Sequence, residues 1–334
     1  HVTLDPSRIA AQVVSGIAYT DAGVTALNAG LVSGLVDGVG LGSVSTGVNG
    51  YYYFLEPAGT ISSDGSAVLT YSGGGNNFGT IFKMTSDGTV TNLVSFNGTN
   101  GANPGARLLQ GSDGNFYGVT SGGGKNNLGT VFKITPDGIL TTLVTFNASN
   151  GGVPQAALVQ GTDGNFYGTT YWGGNLSLNG GGGYGTVFMM TPTGSLTTLV
   201  SFNSNNGGHP AAGVTQGSDG YFYGTTYSGG TVNLGTVFKM APNGTLTTLA
   251  SFYAANGGHP YAKLVQANDG NFYGTTFWGG DLSLNNGNGY GTVFKITPAG
   301  TLTTLVQFDG YNGGHPSDGV APGNDGNVYG TTSG

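Results

Sequence analysis

The chain has 334 residues, of which 68 are glycine, and only 7% are charged, with a net charge of −7. An aromatic share of 11% with so little charge argues against disorder and favours many short strands joined by tight turns. Eight scattered basic residues argue against a nucleic-acid partner. No apolar run approaches the length of a membrane-spanning helix, so we expect no span, and there is no cysteine for disulfides or thiol chemistry.

Residues 1–72 differ from the rest of the chain. Three strand-forming stretches, VVSGIAYTDAG, GLVSGLVDGVGLGSVSTG and NGYYYFLEPAGTI, predict a small antiparallel β-sandwich that would act as a stalk or spacer. SRIAAQV, near the start, is the only candidate for a helix. We therefore place a domain boundary after residue 72, with a second domain over 73–334.

The second domain is built from one repeated unit. An Asp-Gly pair precedes each aromatic strand and recurs after 50, 56, 50 and 56 residues, at Asp113, Asp163, Asp219, Asp269 and Asp325. Each unit reads as four strands, typified by NFYGTTY, GTVFKIT, LTTLVTF and AALVQ, with a turn such as PDG between the second and third. Apolar side chains on both parities of LTTLVTF indicate a sheet that is covered on both faces.

Four short antiparallel strands in each unit predict an all-β fold, a β-propeller of about five blades. A β-solenoid, or a fragment of a longer array, is the alternative. The half-unit GNDGNVYGTTSG (323–334) has two uses: it closes the ring beside the first GTIF strand, or AVLTY (67–71) fills that place and the last strand pairs with another molecule. Assembly into a homo-oligomer or filament by strand addition is therefore one expectation.

The units of the form DGNFYGTTYxGGxxxxGTVFK resemble the GloVer-type tandem repeats of bacterial secreted proteins, over residues 75–334. That resemblance implies an extracellular or cell-surface location, and it does not imply an enzymatic activity. The turn and aromatic strand TGVNGYYYF (46–54) are similar to carboxypeptidase-regulatory-like and Cna-B-like sandwiches, which implies a spacer without catalysis.

Acidic residues offer little for catalysis. Only Glu56 is a glutamate, and 11 of the 14 aspartates directly precede a glycine, which is a turn pair. A converging catalytic pair of carboxylates is therefore not predicted, nor is a calcium loop of defined spacing. We predict no catalytic residue and no cofactor.

Histidine recurs at one position of the repeat. The sequence GGHP places His209, His259 and His315 alike, whereas earlier units have Asn103 and Val153 there. Three such imidazoles near a propeller axis could hold a metal. The alternative is a rigid loop corner at which each imidazole bonds a backbone carbonyl, and we favour it over a metal site.

The only two tryptophans lie in two long copies of one loop, YWGGNLSLNGGGGYGTVF (171–188) and FWGGDLSLNNGNGYGTVF (277–294). Stacking of sugar rings on the indoles predicts two glycan platforms. The candidate residues of these platforms are Trp172, Tyr184, Asn175, Trp278, Tyr290 and Asp281. The alternative, that each indole packs over a neighbouring blade and holds a long loop, is favoured.

Together these features predict a non-enzymatic, extracellular structural or surface protein used in adhesion or assembly, through its N-terminal domain or its C-terminal strand. The alternative is a glycan-binding propeller with surface glycans as partners. A polysaccharide-active enzyme is the least supported function.

Overall fold

The computed structural model describes residues 78–323 and 325–334 in full, and five strands between residues 11 and 71 by their backbone. The chain divides into two compact units, one of residues 1–103 with 137–139, the other of 104–136 with 140–334. The helices among the described residues are 3-10 turns at Asn179–Gly181, Ala254–Asn256 and Asn285–Gly287. None of them has the length or apolar character that crossing a membrane requires.

The first unit contains strands in the part of the chain where a small sandwich is predicted. They are β1 (Ala11–Ile17), β2 (Leu31–Val36), β3 (Val39–Ser45), β4 (Tyr51–Pro57) and β5 (Ala67–Tyr71). Strand β1 pairs with β4, and β2 lies between β3 and β5, all antiparallel. The sequence AVLTY is therefore a partner of β2, and the helix expected over SRIAAQV is wrong from residue 11 onwards. Residues 7–10 lie outside the described residues.

The repeat begins in this first unit with a hairpin, β6 (Thr80–Met84) paired with β7 (Val90–Ser95). The second unit then contains four complete sheets. Their strands are β8 (Leu109–Gln110), β9 (Phe116–Thr120), β10 (Thr130–Ile134), β11 (Leu140–Thr145), β12 (Val159–Gln160), β13 (Phe166–Thr170), β14 (Thr186–Met190), β15 (Leu196–Ser201), β16 (Thr215–Gln216), β17 (Phe222–Thr226), β18 (Thr236–Met240), β19 (Leu246–Ser251), β20 (Val265–Gln266), β21 (Phe272–Thr276), β22 (Thr292–Ile296) and β23 (Leu302–Gln307).

Each sheet holds its four strands in sequence order and antiparallel, as a propeller blade does. The half-unit adds β24 (Ala321–Pro322) paired with β25 (Val328–Tyr329). The fold is thus all-β, a β-propeller of about five blades, as predicted from the repeat. The closure of the ring by β25, through its edge that is not paired with β24, stays a prediction.

A β-bulge explains the apolar residues on both parities of the outermost strand. In the second sheet of the second unit, Val187 pairs with Val200, but Phe188 pairs with Thr198, which leaves Leu199 as an extra residue. The bulge turns two consecutive apolar side chains, Leu199 and Val200, towards the core. The same register shift recurs in the other complete blades.

The core lies between neighbouring sheets. The ring centres of Tyr167 and of Phe222 in the next blade are 4.0 Å apart, and those of Tyr223 and Phe272 are 3.9 Å apart. These side chains are almost completely buried. Stacking of sheets at this spacing is what buries the aromatic residues of each FYGTT strand, because a single blade has no second layer to cover it.

A proline and a glycine join one blade to the next. Gly185, with φ of +88°, begins the GTVF strand, and a Cβ there would lie 2.8 Å from Cδ of Pro210. The same arrangement places Pro260 against Gly235. Glycine is required at these positions both for the left-handed backbone and for the close approach of the proline ring.

Candidate functional site

A cavity of about 970 Å³ lies within the second unit. The five segments that precede the innermost strands β8, β12, β16, β20 and β24 all contribute to its wall. Alanine and glycine are the commonest residues of the wall, and the cavity is large enough for a small molecule. Because one segment comes from each repeat, every unit places its corresponding residues around the same space.

Three charged side chains interrupt this small-residue wall: Arg107, Lys263 and Asp318. Arg107 and Lys263 occupy the same position of the repeat, three residues after a proline. The three other units have alanine or glycine there, at Ala157, Gly213 and Gly319. The repeat therefore directs two cations into one cavity from units that are far apart in sequence.

Hydrogen bonds from threonine hydroxyls to backbone carbonyls hold two of these segments against the preceding blade. The Thr225 hydroxyl donates to the Ala262 carbonyl at 3.4 Å, and the Thr275 hydroxyl donates to the Asp318 carbonyl at 2.9 Å. A Cβ on Gly319 would lie 2.9 Å from the Lys263 carbonyl oxygen. Glycine at position 319 thus lets the last segment pack closely beside Lys263.

The Lys263 ammonium lies in an electrostatically unfavourable place. Burial lowers the pKa of Lys263, and the Arg107 guanidinium lowers it further because two positive charges repel each other. Among the described residues, Lys239 forms an ion pair with Asp219. None of the described carboxylates forms an ion pair with Lys263. With the two cations Arg107 and Lys263 and the one carboxylate of Asp318, the side chains that line the cavity keep a net positive charge.

Aromatic residues extend from Tyr261, which also lines the cavity. Its ring is 4.8 Å from that of Tyr227 and 5.7 Å from that of Phe277. Burial raises the pKa of Tyr261 to about 12, and a hydrogen bond with the Tyr227 hydroxyl contributes. Tyr261 is 40% exposed, and its hydroxyl is neutral at physiological pH.

The histidines of the GGHP loops lie against these aromatic residues. Each Nδ1 contacts a backbone carbonyl: His209 that of Tyr171 at 2.9 Å, His259 that of Tyr227 at 2.9 Å and His315 that of Phe277 at 3.1 Å. Each also has positive φ, between 52° and 54°. This is the geometry of the loop corner favoured above. A metal site at His209, His259 and His315 stays a prediction. No cluster of three metal-ligating side chains occurs in the described part of the chain.

The tryptophans contact the same histidines, a connection that the sequence did not suggest. The Trp172 ring lies edge-on to His209 at 4.3 Å, and Trp278 lies edge-on to His315 at 4.5 Å. Tyr184 and Tyr290 contact these imidazoles too, at 5.5 Å and 5.4 Å. In each copy the imidazole therefore joins the indole to the tyrosine of its loop.

The two indoles differ in exposure and surroundings. Trp172 is 38% exposed, whereas Trp278 is half-buried and borders a groove of about 230 Å³ with His259, Leu234 and Asn288. The two predicted polar partners are already engaged locally. Asn175 Oδ1 accepts the Ser177 hydroxyl, and Asp281 Oδ1 accepts the Ser283 hydroxyl, both at 2.7 Å. The glycan platforms stay a prediction.

Comparison with known families settles the relationship of the repeat. The profile described as the Gloeobacter/Verrucomicrobia repeat matches residues 43–182 and again 175–334. The chain belongs to this family. The resemblance to GloVer-type repeats is thereby confirmed, and the Gloeobacter/Verrucomicrobia match begins before the predicted boundary at residue 72. The resemblance of the N-terminal part to carboxypeptidase-regulatory-like sandwiches is not addressed by this match.

Solved structures that this repeat protein resembles share little sequence with it, and no curated protein matches. A gluconolactonase from Xanthomonas campestris has 16% identity and a TM-score of 0.46, with 79% of this chain and 78% of that chain covered. A putative gluconolactonase has 14% identity and a TM-score of 0.43, over 79% and 81%. A putative 6-phosphogluconolactonase from Bacteroides uniformis has 16% identity and a TM-score of 0.38, over 77% and 86%.

These structures correct one expectation from the sequence. The prediction of a non-enzymatic structural or adhesion protein is wrong as stated, because the similar structures include proteins named as lactonases. At such low identity those names describe the other proteins, and they assign no reaction to this chain. The expectation that this member of the Gloeobacter/Verrucomicrobia repeat family is not an enzyme stays a prediction.

Sequence reasoning missed the cavity residues altogether. It searched for carboxylate pairs, histidines and tryptophans, whereas the cavity is distinguished by Arg107 and Lys263. Aligning the repeats on their prolines was the available signal, since only these two units have a cation three residues later. The signal has no meaning, however, until the innermost position of that residue is known.

Proposed function

We propose that the second unit binds a small anionic molecule, one that bears a carboxylate or phosphate group, in its central cavity. The observation that carries this proposal is the presence of Arg107 and Lys263 in one cavity without a compensating ion pair. Lys263 is half-buried and lies near the like charge of the exposed Arg107, and both conditions disfavour its ammonium form. A bound anion would stabilise that charged form.

The chemistry of the two side chains suits this ligand class. A guanidinium presents a planar set of donors that matches a carboxylate or phosphate, and an ammonium adds a compact point charge. Gln155, Thr215 and Ser317 also line the cavity and can bond neutral polar groups of the same molecule. Small residues elsewhere in the wall leave room for such a ligand.

Calorimetric titration of the full chain with pyruvate, citrate and inorganic phosphate tests the proposal. We expect binding that weakens with ionic strength. Arg107→Gln or Lys263→Gln should weaken it by about tenfold or more, because a hydrogen bond to a charged group contributes about 1.5–3 kcal/mol. Lys125→Gln, which removes an exposed cation outside the cavity, is the matched control.

Two results would contradict the proposal. One is that none of the anions binds more tightly than glucose, a neutral molecule about the size of citrate. The other is that the two cavity variants and the Lys125 control bind with equal affinity, which would place the anion elsewhere on the surface.

We also propose that the protein acts outside the cell. This rests on the resemblance to secreted repeat proteins that the sequence motifs carry. Fractionation of the producing cells tests it: recovery of the chain in the medium or on the cell surface is expected, and recovery only with the cell contents would overturn it.

A further inference from the structure

We propose that Lys263 is the nucleophile of an imine-forming site, and that its substrates are small carboxylic acids that also carry a ketone or aldehyde, with Arg107 holding the carboxylate. This inference rests on the proposed function, because it names the class of anion and the use of one of the two cations.

The geometry that points to this is the combination of an amine and a guanidinium in a single cavity. Lys263 is half-buried in the wall formed by the segment before β20, and Arg107 enters the same space from the segment before β8. Asp318, Tyr261 and Tyr329 are the other ionisable groups that line the cavity. None of the described carboxylates forms an ion pair with the Lys263 ammonium.

A lysine attacks a carbonyl only as the neutral amine. A desolvated lysine beside another cation loses its proton more readily than a surface lysine, and this is one of the general ways in which proteins activate an amine. Here burial and the Arg107 charge both lower the pKa of Lys263, whereas the hydrogen bond and ion pair with Asp219 raise the pKa of Lys239. The pKa of Lys263 is thus lowered and that of Lys239 is raised, so Lys263 should be the more reactive amine of the two.

The reaction balances without a further reactant. The Nζ lone pair forms a bond to the carbonyl carbon, a proton passes from nitrogen to oxygen, and a carbinolamine results. Loss of that hydroxyl with a proton, as one water molecule, gives the imine, and the open cavity lets the water leave. Addition of water reverses both steps, so the imine is a reversible adduct.

Arg107 gives the adduct its selectivity. With the carboxylate bound to the guanidinium, the carbonyl group is held inside the cavity, and the reaction with Lys263 gains from a raised local concentration. A ketone without a carboxylate lacks this anchor. The site should consequently discriminate pyruvate from acetone, although both react through the same carbonyl chemistry.

Reductive trapping on the full chain tests the proposal. The protein is incubated with pyruvate and sodium cyanoborohydride, which reduces an imine to a stable secondary amine, and the labelled lysine is located by peptide mass spectrometry. We expect one reduced adduct per chain, at Lys263, formed before any adduct at Lys133, Lys239 or Lys295. Acetone in place of pyruvate should label Lys263 far more slowly.

Variants separate the roles. Lys263→Met should lose the selective label, while Lys239→Met should keep it, and thermal unfolding monitored by circular dichroism verifies that both are folded. Arg107→Gln should reduce the preference for pyruvate over acetone by about tenfold or more, since it removes a charge-assisted anchor.

The outcomes distinguish this inference from the proposed function. Pyruvate that binds in the calorimeter but labels all lysines alike overturns the imine site and leaves anion binding intact. Absence of binding by pyruvate, citrate and phosphate alike, with no selective label, overturns both. A selective label that persists in Lys263→Met overturns the assignment of the nucleophile.

Discussion

Glycine at the centre of each FYGTT strand is set by one aromatic ring. A Cβ on Gly168 would lie 2.5 Å from Cζ of Phe188 and 2.8 Å from Cδ2 of Leu158. Gly168 lies in β13 with Phe188 opposite it in β14, and the phenyl ring is completely buried. The glycine is required because the ring fills the space of its side chain, and the backbone conformation is ordinary for a strand.

Gly168→Ala should therefore destabilise the protein by about 1–3 kcal/mol, the usual cost of overpacking a core. Combining it with Phe188→Leu should cost less than the sum of the two single changes, because the smaller side chain makes room for the methyl group. Urea unfolding measures all three variants. Gly105→Ala, where a Cβ meets no atom within 4 Å, is the control and should change stability by less than about 0.5 kcal/mol. Strict additivity would contradict the steric explanation.

A glutamine at the end of each of the innermost strands β12, β16 and β20 links its blade to the preceding one. Gln160 Oε1 accepts a hydrogen bond from the Ser112 backbone N–H at 2.9 Å, and its Nε2 donates to the Ser112 hydroxyl and to the Gly164 carbonyl. Gln216 and Gln266 form the same links with Thr162 and Ser218. The links lie between sheets, so they add to the aromatic packing there.

Gln160→Ala should destabilise the protein by about 1 kcal/mol, because it breaks these hydrogen bonds between sheets. Gln110→Ala is a matched control, since Gln110 reaches only the Gly114 carbonyl within its own unit, at 3.5 Å. Its unfolding midpoint in urea should stay close to that of the unchanged protein. Equal losses in the two variants would show that the link between blades contributes nothing.

At the scale of the whole molecule, a turn that contains an ionised aspartate recurs in successive repeats. Asp113 accepts hydrogen bonds from the Asn115 side chain and backbone and from the Tyr117 hydroxyl at 2.8 Å, and the first of these is the main reason that the pKa of Asp113 is lowered. At Asp163, burial opposes the shift, but similar hydrogen bonds still lower the pKa. Asp269 and Asp325 repeat the arrangement, whereas at Asp219 the Lys239 ammonium donates in place of an asparagine side chain.

The protein should consequently be sensitive to acid. Because the folded pKa of each of these aspartates lies below the unfolded value of about 3.9, their stabilisation is complete above that pH and is lost as pH falls through the folded pKa values. Urea unfolding at a series of pH values should show stability falling steeply below about pH 4.

Two variants localise that sensitivity. Asp163→Asn should reduce stability at neutral pH and narrow its difference from the unchanged protein as the pH is lowered. Asp309→Asn should change little, since other units have asparagine at that position, at Asn97, Asn147 and Asn203. A pH profile that Asp163→Asn leaves unaltered would contradict the role assigned to these turns.

The sequence by itself determined the strands, the turns and the propeller. Each unit of about 50 residues contains its own strand propensities and Asp-Gly turns, and these local signals recur often enough to identify the blade. The helix expected over SRIAAQV failed because helical propensity is a weak signal that tertiary pairing overrides, here the pairing of β1 with β4. The bulge at Leu199 also escaped, since an alternation pattern cannot show an extra residue.

Only the tertiary structure decided which residues share a site. Arg107 and Lys263 lie three repeats apart in the sequence, and Trp172 contacts His209 only because one blade packs against the next. Such encounters depend on which end of each sheet is innermost and on how neighbouring blades pack, and neither property is encoded within a single repeat. A repeat sequence fixes its blade through local interactions, but the charge of its cavity arises from the positions at which the repeats differ.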